Sequence, residues 1–145
     1  MRYYLSLGAN VGAREQTLQQ ALRMIEQRIG SILRCSSYYY SAPWGFESEN
    51  EFCNLCCAVQ TTMKPLEVLT VTQDIERALG RTHKSNGHYS DRSIDIDLIR
   101  AFDEKGQEIQ CVISRPDSLI PLLSLPHPLW EQRAFVYVPL KEIFD

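Results

Sequence analysis

Two carboxylates, Asp95 and Asp97, stand two residues apart in the segment Arg92-Ser93-Ile94-Asp95-Ile96-Asp97-Leu98-Ile99. The residues between and around them are apolar and mostly β-branched, so the run reads as a strand. Side chains alternate along a strand. Asp95 and Asp97 then point one way, and Ile94, Ile96 and Leu98 the other. Two anions side by side repel unless something cationic lies between them. A divalent metal answers that need for a pair of hard oxygens, Mg²⁺ above all where phosphates are present. The simpler reading is an exposed pair on an edge strand, balanced by Arg92 or Arg100. The spacing by itself leaves both open.

Cations that suit a polyanion cluster in the same part of the sequence. The stretch before the acidic strand carries Arg81, Lys84 and Arg92, and the tail adds His127 and Arg133. The planar fork of arginine grips phosphate oxygens in pairs. His127 lies between Pro126 and Pro128, where the backbone is stiff, and a hydrogen bond to a phosphate oxygen suits it better than nucleophilic attack. Phe52 and Asn54 fall on one face of a third strand. There a ring can stack on a flat heterocycle and an amide can read its edge; the alternative is that Phe52 is core and Asn54 a loop cap. Nothing matches a phosphate-cradling G-x-x-x-x-G-K-[ST], a G-x-G-x-x-G or a G-x-S-x-G elbow.

The elements that must carry these residues are legible from periodicity. Residues 2–8 read as a strand leading into the turn Gly8-Ala9-Asn10-Val11-Gly12. A helix follows from about Arg14 to Ile29, with Leu18, Ala21, Leu22, Ile25 and Ile29 inward, and Gly30 as its stop. A strand is expected over Ser31 to Ser41, then a loop from Ala42 to Asn50, then a strand from Phe52 to Thr61. Pro65 opens a second helix that ends at Gly80; its inner stripe is Val68, Thr72, Ile75 and Leu79, with Gln73 and Glu76 on one flank. Residues 81–93 lack periodicity and read as a polar loop. After the acidic strand come a turn at Lys105-Gly106, a short strand from Glu108 to Ile113, a helical turn and an apolar end, 135–140. The order β-α-β-β-α-β is that of a ferredoxin-like fold with additional C-terminal strands, a fold that serves many functions.

The totals bound the class. The chain has 145 residues, 44% hydrophobic and 23% charged, enough for one domain spanning 1–145 with its own core. A net charge of −3 speaks against a broad nucleic-acid-binding surface. The N-terminal residues lack a signal-peptide pattern and no run reaches membrane-spanning length. Five cysteines, an odd number, fit a reducing compartment, the cytoplasm. Cys53 and Cys56 form a CxxC whose spacing on a strand puts them on opposite faces, so Cys53, Cys56 and Cys57 read as buried hydrophobes.

Taken together the motifs are similar to those of the 6-hydroxymethyl-7,8-dihydropterin pyrophosphokinase family. The likeness runs through Leu7-Gly8-Ala9-Asn10, the Ser-x-x-Tyr-x-Ser-x-Pro pattern of Ser36 to Pro43, Phe52-Cys53-Asn54, Gln73-Asp74-Ile75-Glu76 with Gly80-Arg81, and Arg92 to Leu98. It ends at Pro126-His127-Pro128 and Arg133-Ala134-Phe135. The resemblance implies a ferredoxin-like monomer that moves the terminal diphosphate of ATP to the pterin's hydroxymethyl group and releases AMP, without nucleic-acid or membrane partners. It implies two Mg²⁺ ions on Asp95 and Asp97. It gives Arg81, Arg92 and His127 phosphate-contacting catalytic roles, and places Gln73, Glu76, Tyr89, His127 and Arg133 at the ATP site. Ser41, Ala42, Trp44, Phe52, Asn54 and Phe135 fall at the pterin site, with Phe52 and Phe135 as the two sandwiching rings.

The chain departs from the family pattern in one stretch. Where the family has Arg-Trp-Gly-Pro-Arg before the acidic pair, this sequence has His88-Tyr89-Ser90-Asp91-Arg92. A fixed cation becomes a titratable one, an indole becomes a phenol, and Asp91 adds an anion. Weaker cationic stabilisation from this stretch is expected. A relative that binds nucleotide or pterin without turnover is the alternative it raises.

Overall fold

The computed structural model describes residues 1–42, 51–80 and 93–144. The described elements run β1 (Arg2–Ala9), α1 (Arg14–Arg28), β2 (Ser31–Cys35), β3 (Tyr39–Ser41), β4 (Phe52–Gln60), α2 (Pro65–Ala78), β5 (Asp95–Phe102), β6 (Cys111–Arg115), β7 (Ser118–Leu125), a 3₁₀ turn (Trp130–Gln132) and α3 (Ala134–Ile143). One antiparallel sheet has the order β2-β4-β1-β5, with β3 also on β4; β6 and β7 form a separate hairpin. β1 and β4 occupy the middle and are buried on both faces, as their nearly unbroken apolar runs require.

The sheet separates two cores. On one face Leu5, Leu7, Leu55, Val59, Ile96 and Leu98 meet Leu18, Ala21 and Ile25 of α1 and Val68 and Ile75 of α2. On the other, Tyr4, Cys56, Ala58 and Ile99 meet Val136, Leu140 and Ile143 of α3. Cys53 and Cys57 belong to the first core and Cys56 to the second, so the CxxC is split across the sheet. α1 and α2 bury the stripes that the periodicity predicts. α2 starts on Pro65, with the Lys64 N–H donating to the Glu67 carboxylate at 3.0 Å. Gly30 is required by close approach: a Cβ there would lie 2.0 Å from the Gln60 carbonyl oxygen.

Two local expectations are corrected, and two elements are added. The strand expected over Ser31 to Ser41 is broken into β2 and β3. Ser36 Oγ takes the Cys56 N–H at 2.9 Å, and the Ser37 N–H and hydroxyl both donate to Glu142 Oε1. Side chains thereby replace ladder bonds at the break. The strand expected from Glu108 begins at Cys111, Glu108 contributing only an isolated bridge to Phe102. β7 was not expected, because Pro121 lies inside it and its first four residues are exposed. The apolar end is the helix α3, which accommodates Pro139.

Candidate functional site

The acidic pair lies at the start of β5, an edge strand. Burial along β5 alternates as the sequence requires, Asp95 and Asp97 partly exposed and Ile96 and Leu98 buried. The register carries both carboxylates onto the face of the second core. Asp97 is opposite Ser6, and Ser6 opposite Cys56. Asp95 is opposite Gly8, Gly8 opposite Asn54, and Asn54 opposite Tyr39. Two rows of side chains therefore cross the sheet from the acids to the amide, at the end of the face away from the Tyr4 cluster. β5 is fixed there from α2: the buried Glu76 accepts the Ile96 N–H at 2.8 Å.

Gly8 sets the depth of this surface. A Cβ on it would lie 2.8 Å from Asn54 Oδ1 and 3.6 Å from Phe52 Cδ1. The ring and the amide thus lean together over a bare backbone. The Asn54 amide has a fixed sense. Its Nδ2 donates to the Tyr39 carbonyl at 3.0 Å and to Ser41 Oγ at 2.9 Å. A carbonyl only accepts, so the nitrogen must face it, and both Nδ2 protons are committed. Oδ1 is left as the acceptor of the amide, an atom able to take an N–H from a ligand.

The tail returns to β5 beside the acids. The His127 N–H donates to the Ile99 carbonyl at 2.8 Å, and the Leu129 N–H donates to His127 Nδ1 at 3.1 Å. Nδ1 is therefore an acceptor, and the neutral ring carries its proton on Nε2 as a donor. Burial pushes the imidazole pKa below its ordinary value, with the Asp95 charge opposing that shift. Arg133 is buried, which lowers its pKa in direction, and its guanidinium lies 5.8 Å from the Phe135 ring centroid. Phe135 is partly buried against the second core, and Cys56 Sγ contacts the Val136 carbonyl at 3.6 Å. The first turn of α3 thus stands over the row containing Ser6 and Asp97.

Asp95, Asp97, Phe52, Asn54 and Ser41 share one face at one end of the sheet, His127 joins them beside Asp95, and Phe135, with Arg133 against its ring, packs on the second core of the same face. From α2, Glu76 reaches the backbone of β5 and Gln73 is partly buried on the same helix, and Ala42 follows Ser41 at the end of β3. Trp44, Arg81, Tyr89 and Arg92 lie outside the described residues. Arg100, one of the two cations offered as a simple partner for the acids, is engaged by Glu108 through two bonds of 2.8 and 2.9 Å. Ser6 was not singled out from spacing, and the places of Gly8 and Arg100 on this face are revealed only by the pairing register.

A Mg²⁺ ion takes one or two carboxylates and completes its shell with phosphate and water. Among the described residues no group of three His, Cys, Asp or Glu forms a protein-only cage. Two hard oxygen donors on one face of an edge strand fit a metal shared with a phosphate chain.

A profile of the 7,8-dihydro-6-hydroxymethylpterin-pyrophosphokinase family matches residues 4–145. A 2-amino-4-hydroxy-6-hydroxymethyldihydropteridine pyrophosphokinase of Porphyromonas gingivalis is 45% identical over 97% of this chain and 88% of its own. The protein of the same name from Bacillus subtilis is 33% identical over 97% of this chain and 76% of its own. Among solved structures, HPPK-DHPS from Plasmodium falciparum superposes with a TM-score of 0.74 at 16% identity, over 98% of this chain and 39% of that longer one. That likeness concerns the fold. Identity and coverage in the sequence relatives, with the profile spanning nearly every residue, establish that the chain belongs to the 7,8-dihydro-6-hydroxymethylpterin-pyrophosphokinase family.

Proposed function

We propose that this chain transfers the diphosphate of ATP to the hydroxymethyl group of 6-hydroxymethyl-7,8-dihydropterin, giving the pterin diphosphate and AMP, a step of folate biosynthesis. The observation that carries the reading is the row Asp95-Gly8-Asn54 across three strands, within a chain that matches the family over residues 4–145. One end of that row suits a metal-bound phosphate and the other a flat heterocycle. Nothing found favours a relative without turnover.

Phe52 and Phe135 sandwich the pterin ring, and Asn54 Oδ1 accepts from a ring or amino N–H. The Asn54 orientation is supported by its bonds to Tyr39 and Ser41; Ala42 and Trp44 supply backbone beside them. Gln73, Glu76, Tyr89 and Arg133 line the nucleotide. The hydroxyl oxygen of the pterin attacks the β-phosphorus and gives up its proton to solvent, the bond from that phosphorus to the α-phosphate oxygen breaks, and that oxygen leaves with AMP. Asp95 and Asp97 would hold two Mg²⁺ ions, which would supply positive charge to the triphosphate. Arg81, Arg92 and the Nε2–H of His127 stabilise charge moving onto the phosphate oxygens. The residues thus position and neutralise, with no covalent step on the protein, as phosphoryl-type transfer requires.

The strand order β2-β4-β1-β5, with β3 continuing the β2 edge, supports the ferredoxin-like arrangement. Dependence on ATP, together with five free cysteines, supports a cytoplasmic setting. Among the described residues no helix is long and apolar enough to cross a membrane.

The test is AMP release from ATP, Mg²⁺ and the hydroxymethyldihydropterin. Asp97→Ala should fold, by circular dichroism, and lose turnover by about a thousandfold, several kcal/mol of charge stabilisation. Turnover within a fewfold of the parent refutes the metal role of Asp97. No AMP from the parent at high enzyme concentration refutes the activity.

A further inference from the structure

We infer that Arg100 is a positioning residue that holds the tail segment 127–144, and with it His127, Arg133 and Phe135, over the acidic pair. Its side chain reaches that place through an irregularity in β5. Leu98 pairs with Leu5 but Arg100 pairs with Tyr4, so Ile99 is an extra residue in the strand. Without it, alternation would send Arg100 into the core under α1 and α2, beside Ile96 and Leu98. The bulge turns it to the face of Asp95 and Asp97 instead.

There the guanidinium is gripped on several sides. It lies 5.3 Å from the Trp130 ring centroid, 4.6 Å from that of Phe144 and 5.1 Å from that of Phe102. Glu108 binds its fork through Nε and an Nη at 2.8 and 2.9 Å. Trp130 precedes Arg133, and Phe144 follows the end of α3, so one cation clasps both ends of the stretch that bears Arg133 and Phe135. The adjacent residue, Ile99, accepts the His127 N–H through its carbonyl. Tyr4 closes the cluster, 5.0 Å from Phe144 and 5.9 Å from Phe102 between ring centroids. A planar cation can stack on rings and chelate a carboxylate at once, which lysine cannot do.

The role in substrate binding rests on the diphosphate-transfer reading above; the role as a clasp does not. Two measurements separate them on Arg100→Met, which keeps the bulk and removes the charge. Amide hydrogen exchange should accelerate at His127 and through 130–144, while α1 exchanges as in the parent. Affinity for a non-hydrolysable ATP analogue with Mg²⁺, by calorimetry, should weaken on the order of tenfold, the scale of a displaced binding group. Arg100→Lys should recover part of both effects, because it restores charge without the fork. Exchange no faster in the tail than in α1 overturns the clasp. Faster tail exchange with affinity and turnover unchanged overturns the positioning role and leaves a purely structural one. A parent that binds no nucleotide defeats the functional reading instead, with the exchange result still deciding the clasp. Should Arg100→Met not fold, Glu108→Gln is the second variant; it leaves the cation stacked, weakens the fork, and is expected to give smaller changes with the same pattern.

Discussion

His127 shows how a single side chain is given a role by its backbone neighbours. An imidazole in water samples two neutral tautomers and the cation. Here the Leu129 N–H points at Nδ1, which fixes the proton on Nε2, and burial disfavours the cation. The outcome is a neutral donor aimed from beside Asp95, able to bond an anionic oxygen without taking its proton. Nitrogen-15 spectra of the imidazoles should give His127 as the Nε2–H tautomer, with a midpoint below the ordinary value of about 6.5. The sign for stability follows. Above that ordinary value both folded and unfolded forms are neutral. As pH falls below it the unfolded chain takes the proton first, so stability declines towards the folded midpoint. A His127→Gln variant should lack that component of the acid dependence, read from denaturant melts at pH 7 and pH 5.5. An unchanged pH dependence in the variant, or a midpoint at or above 6.5, contradicts the assignment.

Secondary elements place these side chains through a few backbone contacts that tolerate no substitution. Gly30 sits where α1 hands the chain to β2, and a Cβ there meets the Gln60 carbonyl at 2.0 Å. Gly30→Ala should therefore cost about 2 kcal/mol or more in urea melts, the range for an overpacked site, rather than stabilise the chain as alanine does where glycine is merely loose. A variant as stable as the parent would mean the approach is wider than described. Such contacts mark the boundary of what sequence reveals. α1, α2 and the acidic strand follow from periodicity, since each buries a regular stripe, and β1 and β4 from nearly unbroken apolar runs. The split of β2 from β3 does not, because it depends on Glu142, far along the chain, capturing Ser37. Nor does the bulge at Ile99, which exists only as a mismatch between two strands. The candidate site was legible as residue types in Asp95, Asp97 and His127, with Phe52 and Asn54 added by the family resemblance. What it lacked was register: that Gly8 separates acid from amide, that Asn54 has spent its donors, and that Arg100 faces the tail.

On the scale of the whole molecule, the sheet divides labour between its faces. The face under α1 and α2 is closed by fully buried side chains such as Leu5, Leu7, Leu18 and Ile25. The other is covered at one end by α3 and bears the candidate site at the other, where partly exposed groups such as Asp95, Phe52 and Phe135 gather. Stability and ligand recognition should then separate by face. Leu18→Ala removes a side chain with no exposed surface and should cost about 2–5 kcal/mol. Ligand affinity should stay within a fewfold at temperatures where the variant is folded. Phe135→Ala, on the opposite face and only half-buried, should cost less in stability yet weaken pterin binding by about tenfold, since an aromatic stacking partner is worth about 0.5–1.5 kcal/mol beyond its buried area. It should alter ATP-analogue affinity much less. Thermal melts with calorimetric titration of each ligand give all four quantities. A Phe135→Ala variant that loses both ligands equally would count against ring stacking. A Leu18→Ala variant that loses ligand while still folded would show that the faces are coupled through the strands, β1 and β4, that they share.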